Sequence, residues 1–275
     1  MDRTDYVHGY SEREAERLND QARTLTSLLH NDTRYPAGSR VLEAGCGTGA
    51  QTVILAKNSP GAEITSIDIS PESLRRAEER VRSEGIENVT FRAGDLFSLP
   101  FGPQSFDHVF VCFVLEHLPN PRRALASLRP LIRPGGTITV IEGDHGSAYF
   151  HPDSAGAQKA IRCLVDLQRE AGGNALIGRE LYPLLVSAGY TDVQVSPRMV
   201  YVDASRPALV DGFTRQTFTA MVDGVKKTAI GRGMMTKDAW EQAIADLERT
   251  CEPGGVFCYT FFKGTGTAAG WDPGT

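Results

Sequence analysis

The nine residues Val41-Leu42-Glu43-Ala44-Gly45-Cys46-Gly47-Thr48-Gly49 constrain the fold of this chain more than any other stretch. A short apolar run enters three alternating glycines, and a helix-compatible stretch, Ala50 to Lys57, follows at once. That order reads as a buried strand turning sharply into a helix. Glycine takes backbone angles closed to other residues and puts no Cβ between the chain and a ligand. A tight turn with no ligand would look the same, so the rest of the sequence has to decide.

Downstream, strand-like and helix-like stretches alternate. Strands are expected at Arg40 to Glu43, Glu63 to Ile69, Val89 to Ala93, Phe106 to Phe113 and Gly136 to Glu142, with helices at Ala50 to Lys57, Pro71 to Glu84 and Pro121 to Leu131. Such alternation builds right-handed βαβ units, so the fold class is α/β, doubly wound around a mostly parallel sheet. Arg133-Pro134-Gly135-Gly136 reads as a helix stop and turn. Beyond residue 143 the alternation loosens: helices are expected at Ala155 to Glu170 and Arg179 to Ala188, a strand at Val193 to Val202, helical stretches within Pro207 to Thr250, and a last strand at Val256 to Phe262. That makes seven strands. The tail from Gly264, rich in Gly, Thr and Ala, is expected to fray. Ahead of the sheet, Leu18, Ala22, Leu25, Leu28 and Leu29 recur near helical spacing behind Ser11 and Glu14, which are placed as a capping box. The organisation expected is a helical cap over residues 1–38 and a main domain over 39–275, with helical inserts at about 147–178 and 204–253.

Acids stand at the ends of the next two strands. Asp68 closes Ile64-Thr65-Ser66-Ile67-Asp68, where a carboxylate can accept hydrogen bonds from both hydroxyls of a ribose. Asp95, in Ala93-Gly94-Asp95-Leu96, follows the third strand and could meet an adenine amino group, although an acid there also suits an ordinary turn. Glycine turn and acids share the carboxyl edge of the sheet, where open α/β folds bind ligands. The ligand expected is therefore a nucleoside. A nicotinamide dinucleotide is disfavoured, because its turn reads G-x-G-x-x-G, whereas here the third glycine comes one residue early and Glu43 precedes the turn.

At these residues the chain resembles the class I S-adenosylmethionine-dependent methyltransferases, in particular the group of the ubiquinone/menaquinone-biosynthesis type. Glu43 to Gly49 is similar to their first motif, Ile67-Asp68-Ile69-Ser70-Pro71 to their ribose-binding strand end, and Gly94 to Phe101 to their adenine-side loop. Val114-Leu115-Glu116-His117-Leu118-Pro119 resembles the segment after their fourth strand, and Leu131 to Gly136 the turn before their fifth. The likeness covers roughly residues 38 to 146. It implies a seven-stranded sheet with an antiparallel last strand, and S-adenosylmethionine as cofactor. Carried over by position, Gly45 and Gly47 would lie against the methionine part, Asp68 at the ribose and Asp95 at the adenine amino group, with Glu43, Cys46 and Phe113 also among the cofactor-binding residues. Ile69 and Leu96 would pack on the ring faces, and Phe113 would stand at the end of the fourth strand. Tyr10 and Arg17, in a stretch resembling the N-terminal cap of small-molecule members, would reach the methionine carboxylate.

The sulfonium of that cofactor is already activated, so alignment of the acceptor and exclusion of water are the main demands. For an acceptor that must lose a proton, His145 and Glu142 are the candidate catalytic bases by position, with His117 and His151 behind them. Tyr149, Phe150, Phe213, Phe218, Met221, Met234, Met235 and Trp240 in the inserts would suit an apolar small molecule, or would simply be helix core.

The formal net charge of -5 offers no general attraction to nucleic acid. No amine-binding tetrad of the N/D/S-P-P-Y/F type follows the fourth strand, which argues further against a nucleobase target. The five cysteines are scattered and never in a C-x-x-C pair, and no H-E-x-x-H pattern occurs, so no metal is expected. With neither an apolar leader nor a membrane-length apolar run, a cytoplasmic monomer or homodimer acting on a small-molecule substrate is expected. A protein or RNA methyltransferase, and a non-methylating S-adenosylmethionine-binding protein, stay open as alternatives.

Overall fold

The structure, a computed structural model, describes residues 25–269. The readings made on residues 1–24, Tyr10 and Arg17 included, lie outside the described residues. Residues 25–30 are helical. After them β1 (Arg40–Ala44), α1 (Ala50–Asn58), β2 (Glu63–Asp68), α2 (Pro71–Ser83), β3 (Val89–Ala93), β4 (Phe106–Cys112), α3 (Pro121–Leu128) and β5 (Ile132–His151) alternate as predicted. Strand β1 pairs in parallel with both β2 and β4, β2 with β3, and β4 with β5. With β6 (Tyr190–Asp203) and β7 (Val256–Ala268) the sheet has seven strands in the order β3-β2-β1-β4-β5-β7-β6, the last strands antiparallel.

Local chemistry accounts for where the helices begin. Ser70 caps α2 by accepting from the Ser73 amide, with Pro71 at the first helical position, where a missing N–H costs nothing. Asn120 and Pro121 repeat the device at α3, and Ser154 caps α4 (Ala155–Glu170). The central strands are apolar because both faces are covered. Leu42 and Ala44 of β1, Val109 and Val111 of β4, and Ile138 and Val140 of β5 are buried with Leu125 and Leu128 of α3 and Leu181 and Leu185 of α5 (Leu181–Ser187). Each such large aliphatic side chain contributes about 1.5–3 kcal/mol by leaving water.

Three expectations are corrected. Arg133-Pro134-Gly135-Gly136 does not precede the fifth strand but bulges within it: Phe106 stands opposite Ile132, yet His108 stands opposite Thr137. A Cβ on Gly136 would run into the Asp107 carbonyl oxygen, so only glycine fits the bulge. The tail from Gly264 is not frayed through its described part, because β7 runs on to Ala268. The helix expected through Leu131 ends at Leu128 and tightens into a single 3₁₀ turn over Arg129–Leu131.

The chain forms two compact units. One, the sheet unit, takes residues 29–142, 177–197 and 262–269 of the described chain. The second takes residues 25–28, 143–176 and 198–261. Its core is aromatic: Phe213, Phe218, Phe257, Phe261 and Trp240 are all at most 2% exposed. Phe213 and Phe218 belong to Val210–Thr219, a run wound as a π-helix, and Trp240 to the helix Lys237–Arg249. Phe213, Phe218, Met221, Met235 and Trp240, read from the sequence as a possible apolar lining, are thus buried core, whereas Tyr149 is exposed. Among the described residues no helix is long and apolar enough to cross a membrane.

Candidate cofactor-binding site

The turn after β1 is built by three glycines with three different reasons to be glycine. Gly45, Gly47 and Gly49 have φ of +83°, +52° and +80°, angles that side chains disfavour. A Cβ on Gly45 would lie 2.5 Å from Cγ2 of Val114, and one on Gly49 would lie 2.9 Å from Cα of Ala77 in α2. A Cβ on Gly47 would meet nothing within 4 Å among the described residues. Two of the glycines therefore serve the protein's own packing, and the middle one opens onto free space. The amides of Gly45 and Cys46 both donate to the carbonyl of Ile67, and Arg80 of α2 donates from Nε to the carbonyl of Thr48.

Asp68 is part of the same construction. One carboxylate oxygen accepts from the Gly47 amide at 2.8 Å and the other from the Ser70 amide at 2.9 Å, joining the turn to the start of α2. Burial raises its pKa, against the pull of these backbone hydrogen bonds. The Ile69 amide acts on the same carboxylate, whose roughly four lone-pair sites leave acceptor capacity beyond the backbone. Beside it Ile69 is 67% exposed, an aliphatic side chain left in water directly after the acid.

The other sequence candidates divide. Asp95 is exposed and its Oδ1 accepts from the Phe97 amide at 2.9 Å, which fixes the loop after β3. Leu96 packs against the core of the sheet unit, so its side chain is only partly available to a ligand. Cys46 is buried with Leu74 and Ala77, and burial pushes its thiol pKa up, so the turn presents its backbone and not its sulfur. Phe113, just past β4, holds a φ of +57°, unusual for a side chain of its size, with its amide donating to the Ile141 carbonyl at 2.9 Å.

Glu43 points into the protein. It is 2% exposed, and its Oε2 accepts from the hydroxyls of Thr52 at 2.7 Å and Ser66 at 2.6 Å. Burial pushes its pKa up to about 7, the two hydroxyls working in the opposite direction. Thr52 and Ser66 were missed in the sequence, although the signal was there: Ser66 is the β2 residue in register with Glu43, and a buried acid needs donors.

Glu142 is wholly buried on β5, and its Oε1 accepts from the amides of Val114 at 2.9 Å and Leu115 at 2.7 Å. Burial first, and the nearby charge of Glu116 second, raise its pKa well above the usual carboxylate range. His145 belongs to the second unit, where it is 5% exposed and its Nδ1 lies 2.6 Å from the Tyr259 hydroxyl. Gly143 has no side chain at the place that hydroxyl occupies. Glu142 and His145 therefore belong to different units, although only Gly143 and Asp144 lie between them in the chain. His117 stands beside Glu116, its Nε2 3.6 Å from Oε1.

Comparison with known proteins shows the family of the chain. A family model described as a methyltransferase domain matches residues 36–189. The methyltransferase str2 of Strobilurus tenacellus is 29% identical over 268 residues, 94% of each chain. A demethylmenaquinone methyltransferase of Tropheryma whipplei is 38% identical over 118 residues, 42% of this chain and 46% of the relative. Other curated relatives extend well past the match, which spans 59%, 35% and 56% of three of them. Among solved structures, a phosphoethanolamine N-methyltransferase of Haemonchus contortus bound to S-adenosylhomocysteine superposes with a TM-score of 0.55 at 17% identity, covering 91% of this chain and 53% of that one. The match to the family model spans more than half of the sequence and contains the glycine turn, Asp68 and the loop after β3. This chain belongs to the methyltransferase-domain family.

Proposed function

We propose that the protein is an S-adenosylmethionine-dependent methyltransferase acting on a small-molecule acceptor. One observation carries the cofactor assignment: Gly47 faces open space beside a carboxylate that already grips its amide, with an exposed aliphatic side chain next in sequence. An adenosine fits that set, its ribose hydroxyls on Asp68 and its ring against Ile69, with Asp95 as the nearby acceptor for the amino group. The methionine part would follow the turn along Gly45 and Gly47, and Phe113 would border it from the end of β4. The bound cofactor supplies an activated methyl group, so the chain's own part is to hold donor and acceptor in line and keep water out. The small-molecule acceptor is supported by the demethylmenaquinone methyltransferase among the relatives, whose name gives a small molecule as its acceptor.

Calorimetric titration tests the cofactor. S-adenosylmethionine and S-adenosylhomocysteine should bind and NAD should not; binding of neither sulfur compound ends the proposal. Asp68→Ala should weaken S-adenosylhomocysteine binding about 10- to 100-fold, the ~1.5–3 kcal/mol of hydrogen bonds to a charged group. An unchanged affinity would remove Asp68 from the site. Incubation with a labelled methyl donor and a cell extract, followed by mass analysis, tests the acceptor. Label in a small molecule is expected, label in protein or RNA would overturn the acceptor class, and binding without any transfer would favour a non-methylating protein.

A further inference from the structure

The end of β4 is held from β5 by a side chain that acts on the glycine turn at one remove. We infer that Glu142 is a positioning residue: its carboxyl fixes Val114 against Gly45 and thereby sets the affinity of the site for its cofactor. The inference rests on the function proposed above and gives Glu142 a task other than that of a base.

Four observations lead to it. The amides of Val114 and Leu115 leave the sheet at the end of β4, and both donate to the single oxygen Oε1 of Glu142. Backbone donors buried without a partner are costly, so this oxygen decides where the segment lies. The Val114 side chain forms the wall over Gly45, its two methyl carbons 2.5 and 3.0 Å from where a Cβ would be. The preceding residue, Phe113, is held at positive φ with its amide on Ile141, so adjacent β5 residues pin the strand end, one by its carbonyl and one by its carboxyl. A base needs an oxygen that reaches an acceptor's proton. Here Oε1 is committed to two amides, and Oε2 is buried with no hydrogen-bond partner among the described residues.

The neutral acid is the form such surroundings favour, and glutamine copies it closely: one carbonyl oxygen for the two amides and a polar group in place of Oε2. Glu142→Gln should therefore bind S-adenosylhomocysteine within about threefold of the parent, whereas Glu142→Ala should bind it at least tenfold more weakly. In the labelled-methyl assay Glu142→Ala should raise KM for S-adenosylmethionine and leave kcat at saturating donor largely intact. Amide hydrogen exchange in the protein without ligand should quicken at Val114 and Leu115 in the alanine variant and not in the glutamine variant. Val114→Ala, which keeps Glu142 and trims the wall over Gly45, should weaken binding as well, and serves if Glu142→Ala does not fold.

Parent affinity retained in both Glu142→Ala and Val114→Ala would overturn the inference, as would a Glu142→Gln variant that binds normally yet loses kcat, the mark of a base. A parent protein that binds neither sulfur compound would overturn the function proposed above; if amide exchange in that protein also failed to respond to Glu142→Ala, the positioning role would fall on its own account.

Discussion

Gly47→Ala should yield a folded protein that binds S-adenosylhomocysteine about 10- to 100-fold more weakly than the parent. The fold survives because a Cβ at this position meets no atom of the described residues within 4 Å. The left-handed angle at residue 47 costs a non-glycine residue roughly 1–2 kcal/mol, a fall in Tm of only a few degrees for a chain of this size. Binding suffers because the added methyl group projects into the space assigned to the cofactor, and forcing an extra carbon into a filled site typically costs about 1–3 kcal/mol. The neighbouring glycines provide the contrast. At Gly49 the new carbon would press on the backbone of α2, so Gly49→Ala should lose stability first and binding only as a consequence. Thermal unfolding and calorimetry on the two variants separate these effects. A Gly47→Ala protein with parent affinity would place the cofactor elsewhere.

The second large effect is on stability and concerns Glu43. Its pKa is about 7 in the folded chain against an ordinary 4.5. Between those values the folded state keeps a proton that the unfolded state has released, so the contribution of this group to stability is complete below about pH 4.5 and is lost as pH rises through 7. At roughly 1.4 kcal/mol per pH unit the loss totals about 3 kcal/mol. Glu43→Gln should remove that part of the profile, since an amide accepts the hydroxyls of Thr52 and Ser66 and does not ionise. Urea unfolding at pH 5 and pH 8 checks it: the parent should lose about 2.5 kcal/mol more than the variant between the two conditions. Glu142 titrates in the same sense in both proteins and drops out of the difference. Parallel profiles would mean that Glu43 is ionised throughout.

The parts of this site that the sequence exposes are those where one short segment carries its own reason. The strand, the three glycines and the helix after them are contiguous, and a glycine in a turn signals its backbone angle directly. Asp68 and Asp95 were readable because a parallel sheet brings successive strand ends to one edge. Direction of a side chain was not readable in the same way. Cys46 and Glu43 stand in the motif, yet the thiol turns into the apolar group of Leu74 and Ala77, and the carboxyl turns toward Ser66 and Thr52. Those orientations follow from neighbours far away in the chain. The glycine-rich tail misled for a related reason. Gly264 and Gly266 look like loop residues, but a Cβ on them would lie 2.9 Å from Leu185 Cδ1 and 3.0 Å from Tyr190 Cβ, so they are strand residues closely packed against other elements. The aromatic residues of the second unit read equally as lining or as helix core, because composition alone does not separate the two, and they are core.

The double grip of Asp68 on the amides of Gly47 and Ser70 exists before any nucleoside arrives. In the binding mode proposed above, an arriving sugar would find a receptor already shaped, and little of the free energy of docking would go into ordering the loop. Association should then behave as the meeting of two rigid partners, its rate governed by diffusion and orientation, while differences among nucleoside analogues appear in how long each one stays.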